Sequence, residues 1–244
     1  PEHAPHSHRM PACSAQWDTA SHAAPSQVLH IRSFLDHDRP FVRPSRPANS
    51  MVEQAINSSS DAVYVSNSEE GRLVTPSEAF HSLVEHFERW AACLGKHGLL
   101  LLEVSNLDVV STQKYATQAT SLHFDALQAH SGQILMPAAH FSLAAACAGL
   151  LPGDRLLTYP KAAGFTRIVL QQLRPAGFSI RLATMHDMPN LLALEALWVD
   201  PASEATLRRR IIAHPTGQYV VVSAEGQLLA AAYTQRVSSY DALL

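Results

Sequence analysis

The sequence predicts an α/β chain that is followed, near residue 177, by a smaller α+β unit, and three observations carry this. Leu99-Leu100-Leu101-Leu102-Glu103-Val104 is a continuous apolar run between turn signals, as expected of a central strand buried on both faces. The segment before it, Pro76 to Cys93, repeats Phe80, Leu83, Val84, Phe87 and Trp90 at three- and four-residue spacing, the period of an amphipathic helix. After Pro175-Ala176-Gly177 the pattern starts afresh with a short strand, a capped helix and a strand hairpin.

Residues 1–26 are polar, proline-bearing and without period, so they read as a tail or linker. Order begins with Val28 to Arg32, which alternates like a strand, and Ser33 to Pro40 reads as the loop that leaves its end. Asp36 or Asp38 pairing with Arg39 would fix that loop, and open α/β sheets place ligands at such strand ends. Residues 43–62, with Pro44, Pro47 and a serine run, read as a mobile loop. Gly95 and Gly98 end the amphipathic helix. A further helix is expected over Ala138 to Ala148, then an antiparallel pair from Asp154–Lys161 and Phe165–Leu173. His140, on an alanine-rich helical face, reads as structural. The expected units are thus 1–26, 27–177 and 178–244.

In the last unit Thr184-x-x-Asp187 has the form of a capping box, the Thr184 hydroxyl accepting from a first-turn N–H. Ser203 is expected to cap a second helix through Ala213, whose Arg208-Arg209-Arg210 run reads as a solvated face or as a contact for an acidic partner. Gly217–Val222 and Gln227–Thr234 should form a hairpin around Ala224-Glu225-Gly226.

Bulk properties exclude several classes. A net charge of -3 with 16% charged residues offers no basic field for nucleic acid. The longest apolar stretch, Ile134 to Leu151, is interrupted by Pro137, His140 and Ser142 and makes a poor membrane span. Three widely spaced cysteines without a C-x-x-C pair argue against a disulfide framework or zinc ribbon, and fit a reducing cytoplasm. His3, His6 and His8 lie in the proline- and alanine-rich start and read as linker rather than as metal ligands.

Longer words carry a resemblance. Val28 through Pro40, Leu83-x-x-His86-Phe87-x-x-Trp90, Gly98-Leu99-Leu100-x-x-Glu103, Ser131-Gly132-Gln133 and Tyr159-Pro160-Lys161 together resemble the metal-dependent methyltransferase-like regions of modular polyketide synthases. Ile180 to Thr184, Leu191-Leu192-Ala193-Leu194-Glu195 and Tyr233 to Arg236 resemble the opening of a GNAT acyltransferase. That order, methyltransferase-like region then GNAT-like unit, is similar to polyketide loading modules of the curacin, apratoxin and gephyronic acid type.

The resemblance implies a fold: the C-terminal part of a class I methyltransferase-like, Rossmann-type sheet, ending in an antiparallel pair, then the N-terminal half of a GNAT-like unit. It implies a role in polyketide chain initiation, as adaptor or scaffold for acyl loading and decarboxylation, with acyl carrier protein and neighbouring synthase domains as partners. A second possibility is a metal-dependent methyltransferase acting on carrier-bound malonyl, using iron or manganese and S-adenosylmethionine, with its cofactor half outside the chain. A third is a non-catalytic docking module for a carrier protein. Acyl-CoA or phosphopantetheine would serve an intact GNAT-like part.

Departures from the family weigh on activity. No G-x-G-x-G occurs, and the Q/R-x-x-G-x-G/A loop of acyltransferases is not reached by Leu244. Active relatives show a Glu-x-His strand and a histidine before Ser-x-Gln; here those places hold Ser105 and Gln128. The resemblance leaves Gln133 as a metal candidate, with His123, His130, Asp36 and His37 as neighbours in space, and Trp198 as a residue of the acyl site or a core tryptophan.

Overall fold

The computed structural model describes residues 24–235, apart from 47–48, 67–68, 70, 119–121, 123–124, 126–129, 131 and 162–163. The histidines of the first segment and His123 lie outside the described residues.

The first sheet has four strands in the order β1-β4-β6-β5. Strand β1 (His30–Ser33) runs parallel to β4 (Leu99–Val104), and β6 (Ile168–Pro175) lies antiparallel between β4 and β5 (Leu150–Tyr159). The sheet therefore ends in the expected antiparallel pair. Parallel neighbours need a crossover, and α2 (Pro76–Ala91) supplies it. Its start is fixed reciprocally: Glu78 N–H donates to Thr75 Oγ1 at 3.2 Å, and Thr75 N–H to the Glu78 carboxylate at 2.9 Å, with Pro76 in the first turn. The helix buries Phe80, Leu83, Val84 and Phe87. Full burial of a phenylalanine contributes roughly 1.5–3 kcal/mol, and Phe87 also meets Phe141 of α4 (Ala138–Cys147) edge-on at 5.2 Å.

Gly98, at φ 71, opens β4 where a Cβ would stand 2.0 Å from the Leu173 carbonyl oxygen of β6. Only glycine fits that approach. Strand β4 itself departs from expectation. It is buried on the face toward α2 and α4, whereas Leu100, Leu102 and Val104 on the other face are only partly covered.

A further correction concerns residues 43–62. The expected mobile loop contains α1 (Ser50–Ser58), capped by Asn49, whose side chain accepts from Met51 N–H at 3.0 Å. Val52, Ala55 and Ile56 face the core with helical spacing, a signal that the flanking prolines and serines obscured. A small hairpin of β2 (Tyr64–Val65) and β3 (Leu73–Val74) follows, and α3 (Val109–Tyr115) comes after β4.

The second sheet is antiparallel, in the order β7-β8-β9, from β7 (Phe178–Leu182), β8 (Gln218–Ser223) and β9 (Leu228–Tyr233). Helices α5 (Met188–Glu195) and α6 (Glu204–Ala213) pack on it through Leu191, Leu207 and Ile211 against Val220, all fully buried. Ser203 caps α6 as expected, accepting from Thr206 N–H at 3.2 Å. At Thr184 the carboxylate half of the capping box forms, the Thr184 N–H donating to Asp187 at 2.8 Å; the Thr184 hydroxyl donates to Asp187 as well, and Arg181 adds two bonds of 2.7 and 2.8 Å. An ionised carboxylate is a stronger acceptor than a hydroxyl oxygen, so the Thr184 hydroxyl donates to it. Leu182 joins the core of the first sheet, and α4 lies against β7. Among the described residues no helix is long and apolar enough to cross a membrane. Cys147 is a free thiol.

Candidate functional site

The carboxyl ends of β1 and β4 carry a buried charged cluster. Phe34 turns the chain there with φ 57, a left-handed conformation that side chains with a Cβ rarely adopt. Its N–H remains bonded to the Leu102 carbonyl at 2.7 Å, so the turn folds the loop across the end of β4. The N–H groups of Asp36 and His37 then point at Glu103 Oε2, at 2.8 and 3.3 Å, while His37 Nδ1 bonds Glu103 Oε1. All three residues are buried.

Asp36 is held from two sides. Arg32 Nε donates to both carboxylate oxygens at 3.0 and 3.1 Å, and His86 Nε2 from α2 meets Asp36 Oδ1 at 2.8 Å. Arg32 is itself stacked over Trp90 at 5.3 Å. Burial alone would raise the Asp36 pKa, but the His86 bond and the Arg32 charge outweigh it and hold the carboxyl below its ordinary value. His86 moves down, mainly through burial, with Asp36 opposing. The consistent state is a neutral His86 donating its Nε2 proton to a charged Asp36. For His37 burial pulls the pKa down, yet the Glu103 bond and charge, with Asp38 and Asp36 behind, raise it overall. His37 and Glu103 thus favour an ion pair.

Arg39 does not pair inside its own loop as expected. Its guanidinium reaches into α2, donating to Ser82 Oγ at 3.1 Å and toward the Ala79 carbonyl at 3.5 Å. Burial lowers its pKa to about 10, which the charge of Asp36 partly offsets. A guanidinium with only neutral partners needs such a nearby anion to stay buried. Asp38 instead accepts from Gln133 Nε2 at 3.1 Å, and Ile134 N–H donates to the His37 carbonyl at 2.6 Å. Beyond Ser105, Arg167 donates to the Ser105 carbonyl at 2.7 Å and forms a bidentate pair with Asp125.

Of the expected neighbours, the structure brings Asp36, His37 and Gln133 together. His130 is exposed, and Trp198 stands just past α5 at 71% exposure, neither in the core nor on a described cavity. Sequence reasoning did not single out His86, Glu103 or Arg167 as site residues. A usable signal existed for two of them: a carboxylate in a strand of leucines, and a histidine between Leu83 and Phe87 on the apolar stripe of α2. His140 is structural as expected, buried and bonded to Ser59 Oγ at 2.9 Å.

The strand order, the loop after β1 and the helix words belong together. Residues 16–171, more than half the chain, match the family model described as the AprA MT2-like domain. The chain belongs to that methyltransferase-like family. The comparison with curated proteins gives no match. The AprA MT2-like match ends inside β6 and takes in the whole charged cluster, so the cluster is a feature of the family region rather than of the second sheet.

Whether this AprA MT2-like domain could hold iron or manganese turns on its free donors. His37 spends Nδ1 on Glu103 and keeps Nε2, the arrangement in which a carboxylate orients a ligating imidazole. Gln133 Oε1 is buried without a partner. Asp36 is withdrawn by Arg32 and His86, and Ser105 offers no imidazole. Two donors fall short of the three protein ligands a catalytic metal needs, and no group of three His, Cys, Asp or Glu with metal-binding placement exists among the described residues. The described residues therefore do not complete a metal site.

A separate cavity of about 370 Å³ lies between α1, α2, α4 and β7, bordered by Phe80, His81, Val84, Cys147 and Leu182. Burial pushes the Cys147 thiol up to about 12, so it carries no thiolate for chemistry at neutral pH.

Proposed function

We propose that the chain works as a methyltransferase-like adaptor in the initiation of polyketide synthesis, placing an acyl carrier protein beside neighbouring synthase domains rather than transferring a methyl group itself. One observation carries this reading: the carboxylates at the ends of β1 and β4, Asp36 and Glu103, are saturated by Arg32, His86, His37 and backbone amides. Groups so engaged stabilise a loop; a catalytic carboxylate needs a free face for substrate or metal.

In the same reading residues 178–244 are the N-terminal half of a GNAT-like acyl-loading unit, and residues 27–177 the methyltransferase-like unit. The succession β7, α5, α6, β8, β9 supports it, with the turn at Thr184 and the hairpin where the resemblance implies them. Trp198, exposed on the helix end, would contact the acyl group or the carrier protein. The setting proposed is the cytoplasm.

Titrating apo and phosphopantetheinylated acyl carrier protein against the chain, followed by the chemical shifts of the carrier, tests the proposal. Saturable binding of at least one form is expected; no binding of either form overturns it.

A second reading has its own support in the His37–Glu103 pair and the unpartnered Gln133 Oε1. In it the region is a metal-dependent methyltransferase for carrier-bound malonyl, with S-adenosylmethionine bound by polypeptide outside these residues. Metal analysis of a chain extended upstream, after loading with iron(II) or manganese(II), decides it. Retention of one metal per chain that depends on Gln133 supports the methyltransferase; none retained removes it.

A further inference from the structure

The arginine run on α6 divides in the structure. Arg208 is paired with Glu204 at 2.7 Å across one helical turn, and its neighbours are not. Arg209 has no ion-pair or hydrogen-bond partner among the described residues, and Arg210 lies with its guanidinium 5.0 Å above the ring of Tyr233. Both border a cavity of about 620 Å³ between the end of α6, the start of β8 and the end of β9. His214, Gln218 and Thr234 complete the lining that matters here, and no acidic side chain is part of it.

Two polar atoms of this lining are buried and unpartnered. Gln218 is 0% exposed, and its Nε2 donates to the carbonyls of His214 and Thr234 at 3.1 and 2.9 Å. Those two acceptors fix the amide orientation, so the atom left over is Oε1, an acceptor without a donor. The Tyr233 hydroxyl is also without a partner of hydrogen-bonding geometry, although burial and the nearby Glu195 carboxylate push it up to about 12. Leaving two such groups unsatisfied is costly, and a ligand that pairs with both removes that cost.

Arginines in a last helical turn also complement the helix dipole, and that alone would account for charge at this place. It does not account for a buried carbonyl oxygen left without a donor in the same concavity, nor for a phenol that, near the Glu195 carboxylate, has no partner at hydrogen-bonding geometry. The carbonyl oxygen calls for an N–H or O–H, whereas the phenol and the two arginines call for an anion. Arg210 is preorganised by the Tyr233 ring, and guanidinium forks match the oxygens of a phosphate.

We propose that this cavity binds an organic phosphate that carries a hydroxyl or amide N–H close to its phosphate group. The phosphate meets Arg209, Arg210 and the Tyr233 hydroxyl, and the neighbouring donor meets Gln218 Oε1. This site is separate from the charged cluster of the first sheet and stands whether or not a carrier protein docks.

Calorimetric titration of the full chain with glycerol 3-phosphate, inorganic phosphate and glycerol tests it. Glycerol 3-phosphate is expected to saturate a single site about tenfold more tightly than inorganic phosphate, since one added hydrogen bond of about 1.4 kcal/mol is worth that factor, and glycerol to give no heat. Arg209→Ala, at an exposed position, and Tyr233→Phe, which keeps the ring under Arg210, are each expected to weaken glycerol 3-phosphate binding about tenfold with the thermal unfolding midpoint kept. Equal affinity for the two phosphates, no binding of either, or binding indifferent to Arg209→Ala overturns the proposal.

Discussion

The two sheets treat charge in opposite ways. At the ends of β1 and β4, Asp36, Glu103, Arg39 and His37 are buried and, with the half-buried Arg32, lean on one another; both carboxylates are paired inside the protein, while Arg39 Nε and Gln133 Oε1 stay without a partner. At the end of α6, Arg209 and Arg210 stay exposed, while Gln218 and Tyr233 beneath them keep unpaired atoms. The first arrangement is the one the family words point to, yet it is closed on itself. The second borders the Tyr233–Arg236 word and is open. A family pattern marks where a site lies in relatives; unmatched buried polar atoms mark where a ligand still has something to gain.

If the first cluster is a self-sufficient structural element, breaking it must cost folding stability. Glu103→Ala has the largest expected effect, since it strands His37 and three backbone N–H groups, those of Asp36, His37 and Val104: a loss of about 3–5 kcal/mol, read from urea unfolding. A loss below about 1 kcal/mol would mean that the cluster is kept for something other than stability. Asp36→Asn follows, at about 2–3 kcal/mol, because Arg32 loses a two-oxygen acceptor and Arg39 its compensating charge.

The pH profile sharpens the comparison further. His37 has a raised pKa, so its share of stability is whole below the ordinary histidine value of about 6.5 and is lost as pH rises through its folded value. Asp36 is lowered: its share is whole above about 3.9 and is lost as pH falls through the lowered value. His86, also lowered, adds stability that is whole above about 6.5 and is lost as pH falls through its folded value. Stability should therefore decline on both flanks, and His37→Gln should flatten the alkaline flank alone. An alkaline flank unchanged in that variant assigns the decline elsewhere. The smallest effect belongs to Phe34→Gly. Relief of the left-handed strain, set against lost contacts and added chain entropy, gives a gain of up to about 1 kcal/mol in thermal or urea unfolding. A loss larger than that shows that the Phe34 side chain anchors the loop.

Much of the fold was legible because its signals are local. Helix α2 announces itself through Phe80, Leu83, Val84 and Phe87, and the 150–175 antiparallel pair through Gly and Pro punctuation. Helix α1 was hidden, since nine residues with three inward positions give a weak period between prolines and serines. The cluster was half legible. Asp36, His37 and Gln133 are close, as the resemblance implied, but pairing is a long-range property: Asp36 chose His86, fifty residues away, over its neighbour Arg39. Trp198 shows the same limit, because helical spacing places it at the end of α5 without saying what, if anything, lies opposite.

The reversed strand β6 sets an order on how this protein comes together during synthesis. It is the last strand of its sheet in sequence, yet it alone joins β5 to β4. Until the ribosome has released the chain through about residue 175, β5 has no place in the sheet and β4 keeps one edge bare. The segment Leu150–Pro175 thus docks as a single hairpin, and a chain cut where the family match ends, at residue 171, would forfeit the pairs from Pro152↔Leu173 to Leu150↔Pro175 together with Leu99↔Leu173 and Leu100↔Gln172.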